Sequence, residues 1–190
     1  KVVIETNPKT EGLFWETFGD HPAVEGVFGT RLEPVIAWHE HLSRPITHKL
    51  PFGSLPLHFQ KPEGKGPHLE QPYLTAPKKY VRMASALIDA TTRPSAKMRV
   101  GLAWNGGSVE TGWYRRSLTP DEVEHICRSC PDIDFYSLEY GQDAPKVENL
   151  IDAELRKHND DLSLAAGLVF ELDHVASVTT TVVDLAGALG

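Results

Sequence analysis

Three consecutive threonines near the end of the sequence stand where an apolar run gives way to a helical pattern. The first backbone N–H groups of a helix lack intrahelical partners and carry partial positive charge from the helix dipole. Together with the hydroxyls of Thr179, Thr180 and Thr181, such groups can hold an anion such as a diphosphate. The simpler interpretation is that a threonine only caps the helix. One turn further on, Asp184 can accept hydrogen bonds from ribose hydroxyls, or the dipole alone can favour a carboxylate there.

A second group of candidate residues precedes another predicted helix. Arg115 and Arg116 follow the turn formed by Asn105, Gly106 and Gly107. Guanidinium groups in such a place can neutralise the charge of a phosphate. The alternative is that the two arginines are a solvated pair in a loop.

Two further motifs suggest thiol or metal chemistry, and both are weaker. Cys127 and Cys130 form a C-x-x-C at the C-terminal end of a predicted helix, where the dipole disfavours a thiolate. A zinc site would need two more ligands, for which His39 and His41 are the candidates. The H-x-H of these histidines would itself need a third ligand, such as His48, so we predict no metal site and no cofactor.

The sequence has no P-loop, G-x-G-x-x-G, G-x-S-x-G or H-E-x-x-H motif.

The composition excludes several functions. The chain has 190 residues with 26 acidic and 19 basic side chains, a formal net charge of −7. This balance argues against a protein that mainly neutralises nucleic-acid phosphates. No run of 18 apolar residues occurs, so no membrane-spanning helix is expected. Two cysteines do not make a disulfide framework, and the expected location is therefore the reducing cytoplasm.

Short apolar runs alternate with helical patterns along the chain, and this alternation predicts an α/β fold. The predicted strands cover residues 1–6, 46–50, 98–104, 133–138 and 174–178, with a further short strand near 24–27. The predicted helices cover 8–18, 34–42, 78–89, 119–129, 162–172 and 182–189, and a proline-rich linker covers 61–79. A mainly parallel sheet with helices on both faces binds ligands at the carboxyl ends of its strands. Those ends are the segments 104–107, 138–141 and 178–181.

Several segments, taken in order, resemble one family. Residues 98–106 (M-R-V-G-L-A-W-N-G) are similar to the strand and loop K-V-G-L-A-W-x-G, and residues 135–141 (F-Y-S-L-E-Y-G) are similar to F-V-S-L-Q-Y-G. Residues 177–190 (S-V-T-T-T-V-V-D-L-A-G-A-L-G) resemble S-V-S-N-T-T-V-H-L-A-G-A-L-G, and residues 50–56 (L-P-F-G-S-L-P) resemble L-P-L-G-S-L-P. The family is the GT-B glycosyltransferase region of bacterial tetratricopeptide-repeat proteins. It is related to the heptosyltransferases and the O-linked N-acetylglucosamine transferases.

The resemblance implies two Rossmann-like domains that face each other across a cleft, both incomplete here. Residues 1–75 match the rear part of the N-terminal, acceptor-side domain, residues 76–97 a connecting helix and linker, and residues 98–190 the front part of the C-terminal donor domain. The implied activity is transfer of a sugar from a nucleoside-diphosphate sugar to an acceptor hydroxyl on a glycan, lipid or protein, with no metal required. The family's general base is expected before Lys1 and its later strands after Gly190. The chain is therefore expected to be an inactive fragment whose open sheet edge favours a homodimer.

The resemblance also implies a set of donor-binding residues. They are Asn105, Gly106, Arg116, Tyr140, Thr179, Thr180, Thr181 and Asp184. The threonines and the helix N–H groups would hold the diphosphate, and Arg116 would offset its charge as it departs. Asp184 would hold the ribose, because residues 180–184 fit the T-T-x-x-D part of the H-T-T-x-x-D pattern in the O-linked N-acetylglucosamine transferases.

Three positions depart from the family's pattern. Asp184 replaces the usual histidine, and Tyr140 replaces a lysine that would contact phosphate. Glu139 replaces a glutamine and is expected to add negative charge beside the anion. These departures leave open an alternative function, a non-catalytic module that keeps the fold and binds a nucleotide sugar or a protein.

Overall fold

The computed structural model describes residues 1–30, 39–40, 42–59, 72–108, 110–141, 144–158 and 161–190. Its strands form two parallel sheets, one of two strands and one of four. Helices flank both sheets, so the predicted α/β class with mainly parallel sheets is confirmed. Most of the helix predicted over 34–42, apart from residues 39, 40 and 42, and most of the linker predicted over 61–79 lie outside the described residues.

Residues 1–30, called here the N-terminal unit, form one strand–helix–strand motif. Strand β1 (Val2–Thr6) leads through a 3₁₀ turn (Pro8–Thr10) into α1 (Glu11–Phe18), and β2 (Val24–Gly29) pairs with β1 in parallel. The local sequence explains the turn, because the Asn7 side chain accepts the Lys9 N–H and proline occupies the first position.

The strand predicted over residues 46–50 is wrong. This segment has no regular structure and is exposed along its whole length. The flanking Pro45 and Pro51 lack N–H groups, and no strand of the described chain pairs with the segment to satisfy its backbone. A 3₁₀ turn (Phe52–Ser54) and the short helix α2 (Leu55–Phe59) follow it.

Residues 72–190, called here the C-terminal unit, carry the four-stranded sheet. Its helices and strands in chain order are α3 (Lys78–Thr91), β3 (Met98–Ala103), α4 (Pro120–Ser129), β4 (Ile133–Ser137), β5 (Leu150–Asp152), α5 (Ser163–Glu171), β6 (His174–Ser177) and α6 (Thr181–Leu189). Two 3₁₀ turns, Trp113–Arg115 and Leu155–His158, lie in the connections. A capping box begins α4, as the T-P-D-E sequence of residues 119–122 favours: Thr119 and Glu122 each accept a hydrogen bond from the other's backbone N–H group.

Strand β3 is central in this sheet, and apolar side chains cover both of its faces. Alternate residues of β3 point to opposite sides. Val100 and Leu102 pack with Val123 of α4 in one core, while Ala103 belongs to the other core with Ala166 of α5. The strand order is β5-β4-β3-β6, all parallel. The chain therefore adds β4 and β5 on one side of β3 and then returns to add β6 on the other.

Candidate functional site

A cavity of about 530 Å³ lies where β3, β4 and β6 end. Its lining includes Asn105 and Gly106 after β3, Tyr140 after β4, and Thr180 and Thr181 at the start of α6. The sheet reverses its strand order between β3 and β6, and open α/β sheets bind ligands in the crevice at this reversal. Five of the eight residues predicted from the sequence are thus brought together at the predicted edge of the sheet.

The loop after β3 approaches two other backbone segments closely. A Cβ atom on Gly106 would lie 2.8 Å from the Arg116 carbonyl oxygen and 3.3 Å from that of Thr179, so only glycine fits without displacing them. Gly107 has φ +85°, a left-handed conformation that favours glycine. The Gly106 N–H donates to Ser117 Oγ at 3.0 Å, which fixes the loop against the segment before α4.

Glu139 has a structural role in addition to the one predicted. Its Oε1 accepts the N–H groups of Trp104 at 2.6 Å and Asn105 at 2.8 Å, and its Oε2 accepts Asn105 Nδ2 at 3.0 Å. The residue is only 8% exposed. Its negative charge is therefore engaged by three N–H donors. The carboxylate positions the loop after β3, and Glu139 also lines the cavity, where its negative charge was expected.

The N-terminus of α6 borders the cavity and is capped by a threonine. Thr180 Oγ1 accepts the Val182 N–H at 3.2 Å and lies 3.2 Å from Ser177 Oγ. The predicted cap is thus present, and the first turn of the helix still lines the cavity through Thr180, Thr181 and Val182. Capping and anion binding are therefore compatible at this helix end, because one cap satisfies only one of the first N–H groups.

Three of the predicted residues lie outside the cavity lining. Arg116 is exposed, and its Nη2 donates to the Thr179 carbonyl oxygen at 3.1 Å, so its guanidinium joins the loops that follow β3 and β6. The side chain of Thr179 is exposed, as is Asp184 in the first turns of α6. Arg115 is also exposed, with its guanidinium 5.5 Å from the ring centre of Tyr114.

Tyr140 brings a neutral hydroxyl to the cavity where relatives were expected to have a lysine. Its phenolic oxygen is buried and has no hydrogen-bond partner within the described part of the chain. Burial, with a smaller contribution from the charge of Asp161, raises the pKa of Tyr140. The phenol is therefore protonated at neutral pH and can donate a hydrogen bond to a ligand, but it supplies no positive charge.

Sequence reasoning missed several lining residues, among them Lys9, Trp113 and Leu162. Lys9 comes from the N-terminal unit, and no local signal places it beside α6. Trp113 is 43% exposed. Its position in a loop next to the two predicted arginines was the sequence feature that could have placed it in the site.

The cysteines and histidines that the structure describes do not assemble into a site. Burial raises the pKa of the Cys127 thiol to about 11, so the thiolate needed for redox or metal chemistry is disfavoured. His39 and His48 are exposed, and His41 lies outside the described residues. Among the residues that the structure describes, no three His, Cys, Asp or Glu side chains are grouped so that they could hold a metal ion.

Comparisons with protein-family models, with curated proteins and with solved structures found no match for this chain. The family resemblance therefore stays a prediction from the motifs. In the described part of the chain, no helix combines the length and apolar character that crossing a membrane requires.

Proposed function

We propose that the chain binds the nucleoside diphosphate of a nucleotide sugar in the cavity, as the donor side of a glycosyltransferase. The observation that carries the proposal is the position of this cavity, at the strand-order reversal and against the first turn of α6. Both features are typical of sites that bind nucleotides and phosphates in α/β proteins. A volume of about 530 Å³ lies in the range usual for small-molecule sites.

In the proposed reaction, an acceptor hydroxyl oxygen forms a bond to the anomeric carbon of the sugar. The bond from that carbon to the diphosphate oxygen breaks, and its electron pair leaves with the diphosphate. The acceptor's proton passes to a general base. This chain would stabilise the departing charge with the N–H groups of α6 and the Thr181 hydroxyl, while Arg116 adds positive charge at the rim. Fixed donors of this kind need no reorganisation as the charge develops.

A second candidate function is binding without catalysis. It is favoured by Tyr140, whose raised pKa keeps a neutral phenol where a cation would help the diphosphate to leave. Such a module would bind the same nucleotide sugar and would not transfer the sugar.

Calorimetric titration of the chain with UDP, GDP, ADP and CMP tests the proposal. We expect one of them to bind, and Thr181→Val to weaken its binding several-fold because a hydroxyl donor is lost. Thr47→Val is the matched control, since Thr47 is exposed and does not line the cavity. Unchanged affinity in Asp184→Ala would remove the ribose role predicted for Asp184. Absence of binding by all four nucleotides would contradict the proposal.

Addition of the corresponding nucleotide sugar then separates the two candidate functions. Release of the nucleoside diphosphate in the presence of an acceptor or water supports transfer or hydrolysis. Tight binding of an intact nucleotide sugar without turnover supports the binding module when it is measured on a full-length chain, because the general base is expected outside residues 1–190.

A further inference from the structure

Lys9 lies on the N-terminal unit, yet it lines the same cavity as the first turn of α6. Its backbone is held on both sides. The Lys9 N–H donates to Asn7 Oδ1 at 3.0 Å, and its carbonyl oxygen accepts the Leu162 N–H at 2.8 Å. The second bond joins the 3₁₀ turn of the N-terminal unit directly to the residue that precedes α5.

Apolar packing reinforces this junction. Leu13 of α1 is 2% exposed and belongs to the core formed by α3, α5 and α6. At Gly12, an added Cβ would lie 2.9 Å from Ser163 Oγ, so α1 lies close against the start of α5 and the Ser163 hydroxyl would have to move to admit a side chain at that position. Lys9 is therefore attached to the C-terminal unit by a close-packed contact and by a backbone hydrogen bond.

The charges in the cavity favour an anion near Lys9. Among the described residues of its lining, Lys9 supplies the positive charge and Glu139 the negative charge. The Glu139 carboxylate is already engaged by the three N–H donors of Trp104 and Asn105. A positive charge on Lys9 and the partial positive charge at the N-terminus of α6 would attract a bound anion together.

We propose that Lys9 binds the diphosphate of the ligand, so that the N-terminal unit contributes a phosphate-binding residue to the donor site. This inference rests on the proposed function and deepens it. It assigns to Lys9 the cationic phosphate contact that Tyr140 does not provide. The site is then composite, because the helix N-terminus and the ammonium come from the two different units.

Calorimetric titration of the whole chain tests this role. The ligands are whichever of UDP, GDP and ADP binds best and the matching nucleoside. We expect Lys9→Gln to weaken diphosphate binding about tenfold or more, as is usual for a lost charged hydrogen bond. Nucleoside affinity should stay within about twofold of the original value, because a nucleoside has no phosphate for Lys9 to bind. Lys9→Arg keeps the charge and should restore most of the diphosphate affinity. Lys97→Gln is the matched control, since Lys97 precedes β3 at the opposite end of the sheet and pairs with Asp132 on the surface.

The outcomes separate this inference from the function on which it rests. Equal diphosphate affinity in Lys9→Gln and the unmodified chain overturns the role of Lys9 and leaves the proposed function intact. Failure of the unmodified chain to bind any diphosphate overturns both. If Lys9→Gln does not fold, the salt dependence of diphosphate binding is measured instead. Lys9→Arg and the unmodified chain should both lose diphosphate affinity steeply as the salt concentration rises. An affinity that does not change with salt contradicts an ammonium–phosphate contact.

Discussion

The N-terminal and C-terminal units contain the same strand–helix–strand motif but bury their apolar side chains to different extents. On α1, Leu13 is 2% exposed while Trp15 is 54% exposed. In the C-terminal unit, Val123 and Ala166 are completely buried on opposite faces of the sheet. The same local motif forms a core only where a second layer covers it. The N-terminal unit acquires that layer by placing Leu13 against the C-terminal unit.

The largest expected difference between the regions is in the response to truncation of a leucine. Leu168 of α5 is 1% exposed, whereas Leu57 of α2 is 77% exposed. We expect Leu168→Ala to lower the free energy of unfolding by about 3 kcal/mol, because it opens a cavity in the main core. Leu57→Ala should change it by less than about 0.5 kcal/mol. Urea unfolding of both variants measures the contrast, and comparable losses would mean that α2 is packed in solution.

A second experiment asks whether the N-terminal unit depends on its contact with the C-terminal unit. Leu13→Ala should lower the free energy of local opening of β1 and β2 by about 2 kcal/mol. The amides of the four-stranded sheet should keep their protection from hydrogen exchange. Hydrogen exchange of individual amides measures this, and the β1 and β2 amides should exchange about thirtyfold faster. The β3 and β4 amides are the internal control. Uniform acceleration across both sheets would show that the two units unfold together.

The smallest expected effect concerns an ion pair within the C-terminal unit. Arg99 of β3 donates to both carboxylate oxygens of Asp173, and this hydrogen bonding lowers the pKa of the Asp173 carboxyl. A pKa that is lower in the folded state than in the unfolded state adds stability at pH values above the usual pKa of aspartate. This stability is lost as the pH falls through the pKa of the folded state. Both side chains are about one-third exposed, so Asp173→Asn should cost only about 0.5 kcal/mol at pH 7.

Urea unfolding of Asp173→Asn from pH 7 down to pH 2 checks the sign of this effect. The difference in the free energy of unfolding between Asp173→Asn and the unmodified chain should shrink as the Asp173 carboxyl takes up its proton. Asp20→Asn is the control, because Asp20 is an exposed carboxylate on the N-terminal unit. A difference that grows towards acid pH would contradict the assigned direction.

The sequence predicts those features of the fold that depend on nearby residues. The capping box of α4 could be predicted because Thr119 and Glu122 are three residues apart. Strand β5 was missed, since its three residues (Leu150–Asp152) are too few for a period to be recognised. Residues 46–50 have a strand-like composition, but strand formation also needs a neighbouring strand, which sequence composition does not reveal.

The same limit applies to the candidate site. The cavity edge could be predicted because the carboxyl ends of parallel strands meet there. Glu139 was interpreted from its charge alone, whereas its role follows from the N–H groups of Trp104 and Asn105, which belong to another strand end. Lys9 could not be found, because its place depends on a contact with Leu162 that only the folded chain makes.

The bond between Lys9 and Leu162 has a consequence for how the site forms in time. Lys9 lies near the beginning of the sequence and Leu162 in its last third, so their contact closes a very long loop. Contacts of such high sequence separation form slowly, because the entropy of closing the loop must be lost before the contact is gained. We therefore expect a refolding chain to recover its α-helical signal before it recovers ligand binding. The interval between the two would measure how late the N-terminal unit docks.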